Sequence, residues 1–184
     1  MGKDSMAEYF NEELIFHREY LNGSKLKGKI KEYNDEGKLI FEGEYLNGKR
    51  NGKGKLYYPN NNNLKYEGEL IDGIKNGKGI EYDKFHKYKY EGEYLNGKKN
   101  GYGKEYFLID KDSNYKEFYL KFEGKYYNDD KLSGKEYYKN GKLKYEGEYL
   151  FNKKWNGKGY DEEGNISYEI INGNGYVKEY TIYI

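Results

Sequence analysis

The run Tyr90-Glu91-Gly92-Glu93-Tyr94-Leu95 alternates aromatic or small residues with carboxylates. A period of two is the pattern of a strand with one buried face. The run reaches Asn96-Gly97, passes a lysine-rich stretch, and resumes at Gly101-Tyr-Gly103-Lys-Glu-Tyr106. Two alternating runs joined by a glycine-containing loop predict a β-hairpin.

The hairpin recurs. Its opening aromatic falls at Phe16, Phe41, Tyr66, Tyr90, Phe122, Tyr145 and Tyr168, at intervals of 23 to 25 residues with one interval of 32 between Tyr90 and Phe122. Second halves follow as Gly52-Lys-Gly54, Gly77-Lys-Gly79, Gly101-Tyr-Gly103 and Gly157-Lys-Gly159, with Gly134-Lys-Glu-Tyr137 as a variant. Between copies stand Asp35-Glu-Gly37, Lys139-Asn-Gly-Lys142 and Glu162-Glu-Gly164. Asn-Gly between two β-like runs predicts a tight turn with both central residues at positive φ. Pro59 lies in a looser joint, outside the strands, as ladder bonding requires.

The expected fold is therefore all-β: an elongated, single-layer antiparallel meander of tandem hairpins over residues 16–184. Residues 1–15 are expected to be a cap, or a disordered or appended segment. Residues 107–121 are expected to project as a loop. Tyr45, Tyr66, Leu70, Tyr90, Tyr94, Tyr126, Tyr145 and Tyr149, with Gly43, Gly68, Gly92 and Gly147, are expected to share one face. A strand glycine costs roughly 0.5–1 kcal/mol against alanine. Its recurrence in register implies that aromatic rings from adjacent strands lie across the bare backbone.

Composition fits this architecture. Leu, Ile, Val and Phe make up about a fifth of the chain, a level at which strongly charged chains stay unfolded. Here 33 basic and 32 acidic residues nearly cancel, and 26 tyrosines supply the missing apolar area. The net charge of +1 argues against a dedicated polyanion binder. With no cysteine there is no disulfide and no thiolate nucleophile. No run of 18 apolar residues offers a helical membrane span. The N-terminus has no apolar signal region, so the chain reads as cytoplasmic, at most peripheral to a membrane or the cytoskeleton.

The cadence Tyr-Glu-Gly-Glu-Tyr, then Asn-Gly-Lys-Lys-Asn-Gly, then Gly-Lys or Gly-aromatic resembles the MORN repeat, and does so over about residues 16–184. The resemblance implies a non-catalytic array of β-hairpins. It also implies a scaffold that binds a peptide or helix of a protein partner along an aromatic face, here Tyr45, Tyr66, Tyr90, Tyr94, Tyr126, Tyr145 and Tyr149. MORN proteins dimerise and have been linked to phospholipids, and some bacterial antitoxin-like variants share the cadence. The tryptophan usual at the fifth position is Tyr20, Tyr45, Leu70, Tyr94, Tyr126 and Tyr149 here, and the lone Trp155 reads as a loop residue.

No catalytic set emerges. His17 and His86 fall in different phases of the repeat, whereas a metal needs convergent ligands, so no metal and no cofactor is expected. Asp110, Asp112 and Asn114 match the first ligands of a calcium loop, but Tyr115 and Lys121 replace its glycine and final glutamate. Gly48-Lys-Arg-Asn-Gly52 lacks the ending of a phosphate loop. Lys49, Arg50, Lys75, Lys98, Lys99, Lys153 and Lys154 recur after the turns. Lined along one edge, they are the candidates for contact with an anionic membrane surface, at about 1 kcal/mol each. Nucleic acid is disfavoured by the charge balance. Open edge strands allow two copies to pair.

Overall fold

The computed structural model describes residues 4–10, 13–21, 25–112 and 115–177, with side chains at 28–108 and 117–175. Every regular element among them is a strand: β1 (Asp4–Phe10), β2 (Glu13–Leu21), β3 (Lys25–Tyr33), β4 (Leu39–Leu46), β5 (Lys49–Tyr57), β6 (Leu64–Ile71), β7 (Ile74–Tyr82), β8 (Tyr88–Leu95), β9 (Lys98–Asp112), β10 (Tyr115–Tyr127), β11 (Asp130–Tyr137), β12 (Leu143–Leu150), β13 (Lys153–Tyr160), β14 (Ile166–Ile171) and β15 (Asn174–Val177). Strand order in the sheet follows chain order, and the pairings are antiparallel. The chain divides into two units, residues 1–87 with 94–97, and residues 88–93 with 98–184.

In the first unit the register aligns glycine with glycine. Gly43 faces Gly54, Gly54 faces Gly68, and Gly68 faces Gly79. The second unit repeats this, with Gly103 facing Gly124, Gly124 facing Gly134, Gly134 facing Gly147 and Gly147 facing Gly157. Each row of bare backbone is roofed by the opening aromatics, and the core is this layer of rings on one face. Phe41, Tyr66, Tyr90, Phe122 and Tyr145 are fully buried. A Cβ placed on Gly68 would lie 2.5 Å from both the Gly79 Cα and the Tyr66 hydroxyl. One placed on Gly79 would lie 2.5 Å from Tyr66 Cε2. Tyrosine hydroxyls extend past the glycine to backbone: Tyr66 donates to the Glu69 carbonyl at 2.9 Å, and Tyr145 to the Glu148 carbonyl at 3.2 Å.

The turns differ from expectation in an informative way. Within repeats the reversal takes only two residues, both at positive φ, as at Asn47-Gly48 (53° and 76°) and Asp72-Gly73 (51° and 83°). That is the type I′ geometry, whose twist matches the flanking strands. The lysines after each turn are therefore already strand, not loop, and Trp155 lies within β13. The joints between repeats are looser. At Lys139-Asn140-Gly141-Lys142 only Gly141 has positive φ. The Tyr138 N–H donates to the Lys142 carbonyl at 2.9 Å, and Asn140 Oδ1 accepts the Lys142 N–H at 3.0 Å. At the equivalent joints the first residue braces the turn instead, Asn34 Oδ1 accepting the Lys38 N–H and Asp161 Oδ1 the Asn165 N–H, both at 2.8 Å.

One further expectation is revised. Residues 107–112 and 115–121 do not project as a loop. They extend β9 and β10 as a paired ribbon, with Phe107 facing Tyr119 and Ile109 facing Glu117. Residues 4–10 pair as β1 with β2. The calcium-like stretch 110–114 lies outside the residues whose side chains are described.

These contacts generate a coupling test. Gly79→Ala is expected to destabilise the protein by about 1–3 kcal/mol through overpacking. In a Tyr66→Leu background, measured by urea unfolding, most of that cost should vanish, because the nearest atoms all belong to the Tyr66 ring.

Candidate functional site

Strand pairing sets a cation opposite each second aromatic. Tyr45 faces Arg50, Leu70 faces Lys75, Tyr126 faces Lys131, and Tyr149 faces Lys154. A bulge follows each of these pairs. At the Gly77 bulge φ is 75°, and a Cβ there would strike the Glu69 carboxylate, whose Oε1 accepts the Lys78 N–H at 3.4 Å. The bulge turns the cation back over the opening ring. Arg50 sits 4.6 Å from the centre of Phe41, Lys99 4.3 Å from Tyr90, Lys131 4.0 Å from Phe122 and Lys154 4.3 Å from Tyr145. Partly desolvated cation–π contacts of this kind are worth about 1–2 kcal/mol each.

Carboxylates complete the unit. Glu32 pairs with Arg50 at 2.5 Å, Lys75 with Glu81 at 2.5 Å, and Glu136 with Lys154 at 3.0 Å. The same carboxylates accept the second tyrosine's hydroxyl: Tyr45 donates to Glu32, Tyr94 to Glu81 at 3.1 Å, and Tyr149 to Glu136 at 3.0 Å. The second ring meets the opening rings edge-on. Tyr94 meets Tyr66 at 5.5 Å and 88°, and Tyr149 meets Phe122 at 5.6 Å and 87°.

Glu105 is the most enclosed of these acids. It takes Lys131 at 2.9 Å, Lys99 at 3.2 Å and the Tyr88 hydroxyl at 3.0 Å. Burial alone pushes its carboxyl up, but the charges of Lys131 and Lys99, with hydrogen bonding, outweigh it and hold the group to about 2. The Tyr126 hydroxyl faces this carboxylate but misses hydrogen-bond geometry. It is the one buried side-chain polar atom without such a partner among the described residues. Burial, with the Glu32 charge and hydrogen bond, pushes the Tyr45 phenol up to about 12. Burial and neighbouring acidic groups do the same for Tyr145.

This arrangement revises both sets of candidate contact residues. Tyr66, Tyr90, Tyr94, Tyr126, Tyr145 and Tyr149 have at most 6 % of their surface exposed, and only Tyr45 is half-buried. They are the core, because a sheet with so few aliphatic residues has nothing else to cover its backbone. Arg50, Lys75, Lys99 and Lys154 are likewise half-buried over those rings and ion-paired. Lys49, Lys98 and Lys153 remain exposed. Glu32, Glu81, Glu105, Glu136 and Lys131 were not singled out from the sequence. Their signal was parity, since Glu81, Glu105 and Glu136 stand two residues after the roofed glycines Gly79, Gly103 and Gly134.

Most accessible apolar groups lie beside the tight turns; Phe85, 71 % exposed in the joint before β8, and Tyr102, 47 % exposed within β9, do not. In the first unit the turn-edge groups are Leu46, Ile71, Ile74 and Leu95, with Leu95 50 % exposed. In the second they are Tyr127, Leu132, Leu150, Phe151 and Ile171, with Phe151 77 % exposed. The opposite face carries polar pairs, such as the Tyr57 hydroxyl on Glu42 at 2.7 Å and the Tyr160 hydroxyl on Glu146 at 2.6 Å. Lysine–glutamate pairs there, such as Lys55–Glu67 at 3.6 Å, are exposed and worth tenths of a kcal/mol. Among the described residues no group of three His, Asp or Glu side chains converges as a metal site. His86 Nε2 contacts the Leu64 carbonyl at 2.9 Å, and its ring packs on Tyr82. His17 lies outside the described side chains.

The shifted groups set a pH window. A depressed carboxyl stabilises the fold above the ordinary glutamate range, and that stability is lost as pH falls through the folded value. A raised phenol stabilises below about 10, and that stability is lost as pH rises towards 12. Urea midpoints should therefore fall between pH 4.5 and 2 and again above pH 10. Glu105→Gln should lower stability at pH 7 by about 2–3 kcal/mol and flatten the acid limb.

The MORN repeat family pattern matches three segments of the chain, residues 41–63, 66–84 and 90–107. They coincide with β4–β5, β6–β7 and the start of β8 through the first half of β9. No curated protein sequence matches the chain.

Proposed function

We propose, from the premise that the chain is a MORN repeat protein, that it is a non-enzymatic scaffold holding a peptide or helix of a protein partner, in the cytoplasm. MORN repeats are generally linked to protein or membrane interaction. The observation that carries the protein reading is the recurrence of an exposed apolar side chain beside tight turns, at Leu46, Ile71 and Leu95 in one unit and Tyr127 and Leu150 in the other. Solvent gains nothing from such residues, and a partner does. The expected ring face takes a different part in this reading: its buried tyrosines hold the turn edges at a regular pitch, and Tyr45 alone keeps accessible area.

A second reading has its own observation. Lys49, Lys98 and Lys153 stay exposed within three residues of Leu46, Leu95 and Leu150. Ammonium groups beside aliphatic ones suit an anionic lipid surface.

The two readings separate experimentally. Leu95→Glu/Leu150→Glu should abolish recovery of a specific partner by affinity capture and mass spectrometry, with circular dichroism unchanged. Lys49→Glu/Lys98→Glu/Lys153→Glu should leave that capture intact. If instead only the lysine variant matters, and the protein floats with phosphatidylserine vesicles at low but not high salt, the lipid reading replaces the first.

A further inference from the structure

The single long interval in the repeat has a consequence in the second unit. It carries β10 outward, so Tyr119 and Lys121 stand beside the joint that follows β11. With Tyr137, Tyr138, Lys139 and Lys144 they line an open cavity of about 410 Å³. That volume is in the range of built ligand sites, roughly 300–1,000 Å³.

Its polar groups are unevenly satisfied. The two carboxylates of the lining are engaged: Glu136 by Lys154 at 3.0 Å and the Tyr149 hydroxyl at 3.0 Å, and Glu162 by Asn140 Nδ2 at 2.8 Å. The three ammonium groups are not. All three are exposed; Lys121 rests 4.1 Å from the centre of the Phe107 ring and Lys144 5.4 Å from Tyr138. Among the described residues none of the three forms an ion pair. Elsewhere in this unit the ring-face lysines Lys99, Lys131 and Lys154 each meet a carboxylate.

We propose that this cavity docks an acidic peptide segment of a protein partner. The proposal rests on the scaffold reading above and gives it a place and a chemistry. Carboxylates of the peptide complete the three unspent ammonium groups, as Glu32 and Glu136 do for Arg50 and Lys154. The walls of Tyr119 and Tyr137 cover the apolar part of the segment. A polynucleotide fits less well. It needs a run of cations tracking its backbone, whereas here Glu136 and Glu162 sit among the lysines and the whole chain carries only +1.

The test uses the full chain and three fluorescent probes: a peptide of alternating Glu and Tyr, the same peptide with Gln for Glu, and oligothymidylate of matched charge. Anisotropy at low salt should show the acidic peptide binding and the Gln peptide not. Lys121→Gln/Lys139→Gln/Lys144→Gln should weaken binding about tenfold or more, while the triple Arg variant retains it. Circular dichroism should be unchanged throughout. No binding of the acidic peptide, binding indifferent to the Gln substitutions, or equal affinity for oligothymidylate would each overturn the proposal. Full recovery of the native partner by the Gln variant would also refute this cavity while leaving the scaffold reading standing.

Discussion

An aromatic ring lying flat on paired glycines is the interaction on which the rest of this structure depends. A sheet with few aliphatic side chains must still keep water from its backbone on one face. Here Phe41, Tyr66, Tyr90, Phe122 and Tyr145 do so by lying along their own strands, each over a glycine two residues on and the facing glycine of the next strand. Any side chain at those glycines would displace the ring. The entropy cost of glycine in a strand is thus accepted for a contact that no other residue permits.

The layers above the ring follow from it. A buried phenyl face attracts a cation, the cation needs a carboxylate, and that carboxylate accepts a second tyrosine's hydroxyl. The array itself shows the linkage where a member is missing. In the third copy Leu70 replaces the second aromatic, and the residue that would bond its hydroxyl is Leu56 rather than glutamate. Lys75 pairs forward with Glu81 on its own strand, as Lys99 does with Glu105. In the last copy Gly159 stands in the carboxylate's place, and the Tyr168 ring fills the space. The second aromatic and its acid change together, as parts of one packed unit.

Much of this was legible in the sequence and some was not. Period-two alternation at Tyr90–Leu95 and the recurring glycines fixed strands, hairpins and the shared ring face, because each depends on local spacing. The cations Arg50, Lys75, Lys99 and Lys154 were misplaced for a physical reason. A loop of six residues and a two-residue turn followed by a bulge read alike in sequence, and only the bulge turns those side chains inward. The glutamates of the ring face escaped notice because a carboxylate two residues after a strand glycine resembles any solvated charge. Residues 107–112 and 115–121 lack the repeat's signature yet pair as strands, since backbone bonding between neighbours needs no side-chain motif. Burial of the tyrosines followed from the composition once taken literally: residues that replace an aliphatic core are themselves the core.

The ring face is buried, and the accessible apolar groups among the described residues stand mostly at the turn edges. The central claim is that rings sit on bare backbone, and proton NMR of the glycine α-protons tests it most directly. The account predicts α-protons of Gly68 and Gly79 shifted upfield, well outside the random-coil range, by the Tyr66 ring, and returned to ordinary values in Tyr66→Leu while those of Gly147 and Gly157 stay shifted. Ordinary values in the folded wild-type protein, or shifts indifferent to loss of the ring, would contradict it.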